Sequence, residues 1–374
     1  MKPKKILIAP DSFKGTLSSG QICEIVDRAI HKHFPGCKAI SIPIADGGEG
    51  SVDSFLSCIG GEKKWVTVKG PYMEDMKSFY ALLNNGYAII EMAACAGLPL
   101  VGDQKNPLTS TTYGVGQLIL DAVNQGANKI ILGLGGSATN DGGCGAAAAC
   151  GARFFSSDGQ EFVPTGGTLK HISKIDLTNL HIPGIEITAM CDINNPMYGT
   201  RGAAYVFGPQ KGADKDDIIL LDNGLRCLDA VIQSDLGQQV ADIPGAGAAG
   251  AMGAGMIAFF NATLQMGIEV VLDAVGFDSL LDDADLVITG EGSFDHQSLG
   301  GKAVSGIASR AKKKSVPVIV VTGGAEVLPE AYDIGVTAVF TINRLPEDLA
   351  VSKNKSADNL KATVENIFRL IDVI

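Results

Sequence analysis

Short apolar, β-branched runs recur along the chain, and most are followed by stretches of helical periodicity. Residues 5–9, 39–44, 129–134, 185–190, 285–289, 316–322 and 338–342 each predict a buried strand. Helices are predicted over 18–31, where Ile22, Ile25, Val26, Ala29 and Ile30 share a face, and over 51–59, 112–125 and 357–371. Strand–helix alternation of this kind specifies a parallel sheet, because parallel neighbours need a crossover and a helix is the usual one. The alternation is interrupted once. Runs 64–68, 78–83 and 87–92 are separated only by turn signals, Gly70-Pro71 and Asn84-Asn85-Gly86, and so predict antiparallel hairpins. Regular alternation returns near residue 285. The economical arrangement is an open α/β domain built from both chain ends, with a mixed α/β domain inserted. Boundaries are expected at 1–64 with 282–374, and 65–281, leaving the placement of 105–150 open.

Composition excludes several classes. The 374 residues are 46% hydrophobic and 19% charged, which is globular composition. A formal charge of −11 and an aromatic content of 6%, not interleaved with basic residues, argue against a nucleic-acid partner. The eight cysteines contain no C-x-x-C pair, and several sit in apolar surroundings such as Ala94-Cys95-Ala96, as reduced thiols of a cytoplasmic protein do. The basic start Met1-Lys2-Pro3-Lys4-Lys5 is followed by an apolar run that stops at Asp11, too short for a secretory signal. Residues 243–268 carry a single charge-free stretch long enough to span a bilayer, but Gly, Ala, Asn261, Thr263 and Gln265 dominate it and basic anchors are missing. A buried, closely packed helix is expected there, and no membrane association.

Ligands of open parallel sheets bind where strands end and helices begin. Five such places share one polar grammar: Pro10-Asp11-Ser12-Phe13-Lys14-Gly15, Ala45-Asp46-Gly47-Gly48-Glu49-Gly50, Gly135-Gly136-Ser137-Ala138-Thr139-Asn140-Asp141-Gly142-Gly143, Cys191-Asp192-Ile193-Asn194, and Gly290-Glu291-Gly292-Ser293-Phe294-Asp295-His296 running on to Lys302. In any one loop, Asp and Ser can be helix caps and Gly a turn former. Five together fit a phosphate ligand with a metal. Glycines let backbone N–H groups approach phosphate oxygens, lysines neutralise charge, and Mg²⁺ needs only one or two carboxylates.

No G-x-x-x-x-G-K-[ST] occurs, which excludes a Walker-type loop. Gly133-Leu134-Gly135-Gly136-Ser137-Ala138 fits G-x-G-x-x-A after a strand, with Asp158 downstream, and supports an NAD-dependent hydroxy-acid dehydrogenase as the rival reading. Against it, Asn140 and Asp141 stand where a pyrophosphate would meet like charge. Gly245–Gly250 spells a similar pattern without a preceding strand and reads as helix packing, or at most a second anion cradle. A non-catalytic two-domain small-ligand sensor is the third reading. Zinc spacings and a nucleophile elbow are missing. Of the five histidines only His296, inside the last loop, has a functional setting.

The segments 9–19, 43–51, 133–143, 191–196 and 289–303 together resemble the bacterial type 1 glycerate kinase family, and the likeness runs from residue 5 to the last helix. That resemblance implies ATP-dependent phosphorylation of D-glycerate, typically at the 2-hydroxyl to give 2-phosphoglycerate. It also implies two α/β domains, one Rossmann- or flavodoxin-like, with the active site between them. ATP and Mg²⁺ are the implied cofactors. The oligomeric state is left open, a homodimer among the options.

Within that reading Asp192 orients or deprotonates the hydroxyl. Asp46 and Glu49 hold Mg²⁺ or substrate hydroxyls, with Asp295 as the alternative metal ligand and His296 beside it on the substrate. Lys14 and Ser12 hold the transferred phosphate or the glycerate carboxylate, which Arg201 or Lys211 clamps. Gly135, Gly136, Gly142 and Gly143 cradle the ATP phosphates with Ser137 and Thr139 donating, and Asp141 is set on the nucleotide side of the same loop. The catalytic set is thus Asp192, Lys14 and Asp46.

Overall fold

The computed structural model describes residues 2–373 apart from Asp46, Pro183, Gly301, Val327, Arg344 and Pro346, and for Gln297, Leu349 and Ala350 it describes the backbone only. Asp46, expected as a catalytic and metal residue, lies outside the described residues. The chain forms two compact units, Met1–Ala45 with Met266–Ile374, and Asp46–Gln265.

The first unit is built on five parallel strands, Lys5–Pro10, Lys38–Ser41, Leu286–Gly290, Val318–Thr322 and Ala338–Thr341. Counted along the chain within this unit, they lie side by side in the flavodoxin-like order 2-1-3-4-5. The first strand is the hinge of the sheet. Ile6 is opposite Leu286 on one side and Ala39 on the other, so two stretches far apart in sequence share one centre. Helix Ser19–His33 starts on a capping box in which Ser18 and Gln21 exchange hydrogen bonds. It packs with the last helix, Ser356–Val373, over Ile6, Ile8 and Ile288, and Phe34 meets Phe368 edge to face with ring centroids 5.7 Å apart.

The second unit carries a six-stranded sheet in spatial order Thr263–Gln265, Glu186–Met190, Lys129–Gly133, Tyr87–Glu91, Asp75–Leu83 and Gly61–Lys69. The first four are parallel and the last two antiparallel, as the hairpin signals required. Helices Ser51–Ile59 and Tyr113–Asn124 pack on it, and Val115, Leu118, Ile130, Leu132 and Ile187 lie in its core. Residues 105–150 fall in this unit.

Two expectations are corrected, and one element was not foreseen. The unit boundaries lie earlier on both sides of the insertion than 64/65 and 281/282. Helix Ser51–Ile59 joins the second unit because Glu91 accepts the Val52 N–H, and the helices Gly267–Ala274 and Phe277–Leu281 join the first, where Arg310 binds Glu269, Asp273 and Asp278. Residues 243–268 are buried as expected but form a shorter helix, Ala248–Phe260, which ends at Asn261 before the strand Thr263–Gln265. The longest helix, Lys215–Leu236, goes unmarked in the sequence reading; its apolar stripe is diluted by Asp222 and Asp229, both buried. Among the described residues no helix is long and apolar enough to cross a membrane.

Candidate active site

Strands Lys129–Gly133 and Glu186–Met190 are parallel neighbours with Gly133 opposite Met190, so their carboxyl ends are level. Beyond them the chain opens a cavity of about 240 Å³, whose walls include Gly135, Gly136, Ser137, Asp192, Lys211 and Ala249. Asp192, one residue past the buried Cys191, is exposed at this cavity. Lys211 reaches the cavity from the short turn Pro209–Lys211 and is 2% exposed. Its Nζ donates to Ser137 Oγ at 2.8 Å and to the Thr139 carbonyl at 2.7 Å. Burial pulls its ammonium down to about 7 against the opposing pull of Asp141. With one donor still to spare, Lys211 in its protonated form can hold an anionic group. The adjoining Thr139 Oγ1 and both amide atoms of Asn140 are buried without a partner.

The two ends of the glycine-rich loop serve differently. Gly135, Gly136 and Ser137 line the cavity. Asp141 is not among its walls: its carboxylate accepts Thr112 N at 2.7 Å, Thr112 Oγ1 at 2.8 Å and Gly143 N at 3.1 Å. Burial raises this carboxyl while those donors lower it. Gly142 and Gly143 have φ of 62° and 75°, and a side chain on either would meet Leu228 or Met252. In this structure they turn the chain and fill the core.

The glycines that spell a dinucleotide fingerprint have another task. A Cβ on Gly133 would lie 2.2 Å from the Gly47 carbonyl oxygen, and one on Gly135 would lie 2.7 Å from Gly48 Cα. Their smallness admits another segment of this chain, and no helix follows until Cys144–Ala149. Asp158 stands on an exposed turn, bonded to Ser156. The dehydrogenase reading loses its structural basis.

Two further features shape the cavity. Ala249, Gly250 and Ala251 all take left-handed backbone angles at the start of helix Ala248–Phe260. For each alanine that conformation costs roughly 1–2 kcal/mol. The loop after Asp192 is held by the unforeseen long helix: Asp222 accepts Gly199 N at 2.6 Å, and Tyr198 donates to Asp229 at 3.0 Å. Asn195 donates to the Arg201 carbonyl at 2.7 Å, while Arg201 itself is exposed and is not a cavity wall. Glu49 is likewise exposed.

The first unit gathers its own polar set at the carboxyl ends of Lys5–Pro10 and Leu286–Gly290. Asp11 N–H donates to the Gly290 carbonyl at 2.8 Å, and Ser12 N–H to Asp11 Oδ1 at 2.6 Å. Gly292 packs against the backbone of Phe13 and Lys14, which brings the Lys14 loop beside the Glu291–Asp295 loop. Lys14 and His296 are exposed, the latter 4.0 Å from Glu326. Asp295 N–H donates to Ser298 Oγ at 3.0 Å. Glu291, missing from the expected site residues, is 8% exposed with Oε1 unpartnered. Burial raises its carboxyl, with Lys302 opposing and Asp11 and Asp295 adding. Its place directly after an apolar strand was the available signal. Among the described residues no group of three or more Cys, His, Asp or Glu side chains is disposed to hold a metal ion.

Two α/β units with glycine-rich and acidic loops at their strand ends, and a cavity lined by both a buried lysine and an exposed carboxylate, point to the class of α/β enzymes that handle anionic small molecules. Residues 6–372 match the glycerate kinase family, and the chain belongs to it. It is 44% identical to a glycerate kinase of Bacillus cereus over 97% of both chains, and 40% identical to the glycerate 2-kinase of Escherichia coli, again over 97% of both. A crystal structure from Salmonella typhimurium LT2, provisionally named glycerate kinase 2, superposes with a TM-score of 0.89 at 38% identity, covering 99% of this chain and 98% of that one. The protein is accordingly a phosphotransferase with an alcohol group as acceptor, a glycerate kinase.

Proposed function

We propose that the chain transfers the γ-phosphoryl group of ATP to the 2-hydroxyl of D-glycerate, giving 2-phosphoglycerate and ADP. The observation that carries this reading is the second-unit cavity, where a carboxylate, Asp192, and a buried ammonium, Lys211, share one wall system with glycine backbone. The relative named glycerate 2-kinase supports the 2-position. Asp192 accepts the hydroxyl proton as the new O–P bond forms and the bond to the ADP oxygen breaks. Lys211 binds the substrate carboxylate as a point charge, with exposed Arg201 as its helper. Gly135, Gly136, Ser137 and Thr139 serve the nucleotide phosphates, and Asp141, Gly142 and Gly143 hold that loop in shape. Lys14 and Ser12 of the first unit take the transferred phosphate; Glu49, of the second unit, and His296, of the first, are assigned to substrate hydroxyls.

The donor set suits Mg²⁺ brought in with the nucleotide, since that ion keeps several waters and asks for one or two protein oxygens. Asp46, or Asp295 as the alternative ligand, would hold it, and it would neutralise charge on the phosphates. Six of the eight free thiols are buried, which supports a reducing, cytoplasmic setting. The decisive experiment incubates the protein with ATP, Mg²⁺ and D-glycerate and resolves the product by phosphorus NMR. Equal amounts of ADP and 2-phosphoglycerate are expected; 3-phosphoglycerate would reassign the acceptor oxygen, and no ADP would remove the reading.

A further inference from the structure

Helix Ser51–Ile59 begins without a cap of its own. Its N-cap residue is Gly50, at φ +92°, which has no side chain to accept a helix N–H. The vacancy is filled from another element. Glu91, the last residue of strand Tyr87–Glu91 and 3% exposed, accepts the Val52 N–H at 2.6 Å and is also hydrogen-bonded by the Gly50 amide. An internal carboxylate therefore occupies the positive end of this helix, the place that the sequence offered to a ligand phosphate.

The same strand end is tied to the glycine-rich loop. Met92 N–H donates to the Gly133 carbonyl at 3.1 Å, and Gly135 N–H donates to the Gly47 carbonyl at 3.1 Å. Gly47 in turn lies where a side chain would come within 2.9 Å of Met190 Cβ. The connections close a ring: Glu91 to Val52, Gly47 to Gly135, and Gly133 back to Met92. One segment of that ring carries Glu49 and follows Asp46 in the chain; another forms the cavity wall.

We infer that Glu91 is a positioning residue for phosphoryl transfer, holding segment Gly47–Val52 in register with the Gly133–Ser137 loop. It is not among the walls of the cavity. Its carboxylate fixes one end of a segment whose other end is wedged against glycines with no room to slide. The inference rests on the kinase reading only for its effect on turnover; the mechanical link stands by itself.

The test compares Glu91→Ala and Glu91→Gln with wild type by glycerate kinase kinetics and by amide hydrogen exchange followed by mass spectrometry. Glutamine keeps an acceptor oxygen, so it guards against a variant that merely fails to fold. In Glu91→Ala, exchange is expected to quicken at least tenfold both in 47–52 and in 133–137, with kcat down at least tenfold and KM for ATP within about threefold. Glu91→Gln is expected to recover most of both effects. Faster exchange confined to 47–52, with kcat unchanged, would reduce Glu91 to a helix cap and overturn the inference. Wild-type protein that turns over no glycerate would refute the kinase reading instead, and the exchange at 133–137 would then decide the link.

Discussion

Asp192 and Lys211 line the same cavity and differ in what surrounds them. Asp192 is exposed, so under the proposed mechanism its replacement by the isosteric Asn should fall mainly on chemistry. Asp192→Asn is expected to lower kcat by about 10²–10⁴, the usual worth of a general base, with an unchanged melting temperature. Turnover near that of wild type would take Asp192 out of the mechanism. Lys211 behaves differently because burial has pulled its ammonium from 10.5 to about 7. Between those two values the unfolded chain holds a proton that the folded protein lacks, so this residue makes stability rise with pH there, and it contributes no slope below the lower value. Anion binding follows the opposite sense, since it needs the protonated amine. KM for D-glycerate should increase as pH rises above about 7, and Lys211→Met should show a higher KM with that slope abolished. A wild-type KM that stays flat from pH 6 to 9 would assign the carboxylate to another cation.

Elements explain why glycine is needed at the strand ends. Gly133 and Gly135 are small because segment 47–48 presses on them, a reason invisible to any local motif. Gly135→Ala is expected to lose about 1–3 kcal/mol by overpacking and to drop kcat with it, read by denaturant unfolding beside kinetics. Full stability would mean that the two loops can part without cost. Most strands of the two large sheets were legible because each is a short apolar run with β-branched residues, whereas Thr263–Gln265 was hidden in a stretch read as helix, and the first helix was legible because Ser18 and Gln21 mark its start. Lys215–Leu236 was not legible as a functional element, since its buried Asp222 and Asp229 look like solvated charges until the loop they hold is seen. The left-handed turn at Ala249–Ala251 left no trace either, because alanine normally signals a right-handed helix.

At the scale of the molecule, the formal charge of −11 would repel an anionic substrate if charge acted only in sum. In the proposed reading the charge that meets the substrate is Lys211, which is buried and therefore weakly screened. Raising KCl from about 50 to about 500 mM should change KM for D-glycerate by no more than about twofold. A tenfold rise would shift the carboxylate to the exposed Arg201 or Lys14. Discontinuity is the other large-scale feature: strand Lys5–Pro10 pairs with Leu286–Gly290, so the first unit is complete only when both chain ends have been made.

The amino-acid sequence alone determined the alternation of strands and crossover helices, the antiparallel hairpins of the insertion and the loops to which the chemistry is assigned, because these follow from local periodicity and from backbone freedom at glycine. Tertiary structure alone decided which polar groups are buried. In sequence Asp141 and Lys211 stood out only as candidate ligand contacts and Glu91 not at all, and each became a fixed partner only when distant segments closed over it and left hydrogen bonds of the protein as its replacement for water.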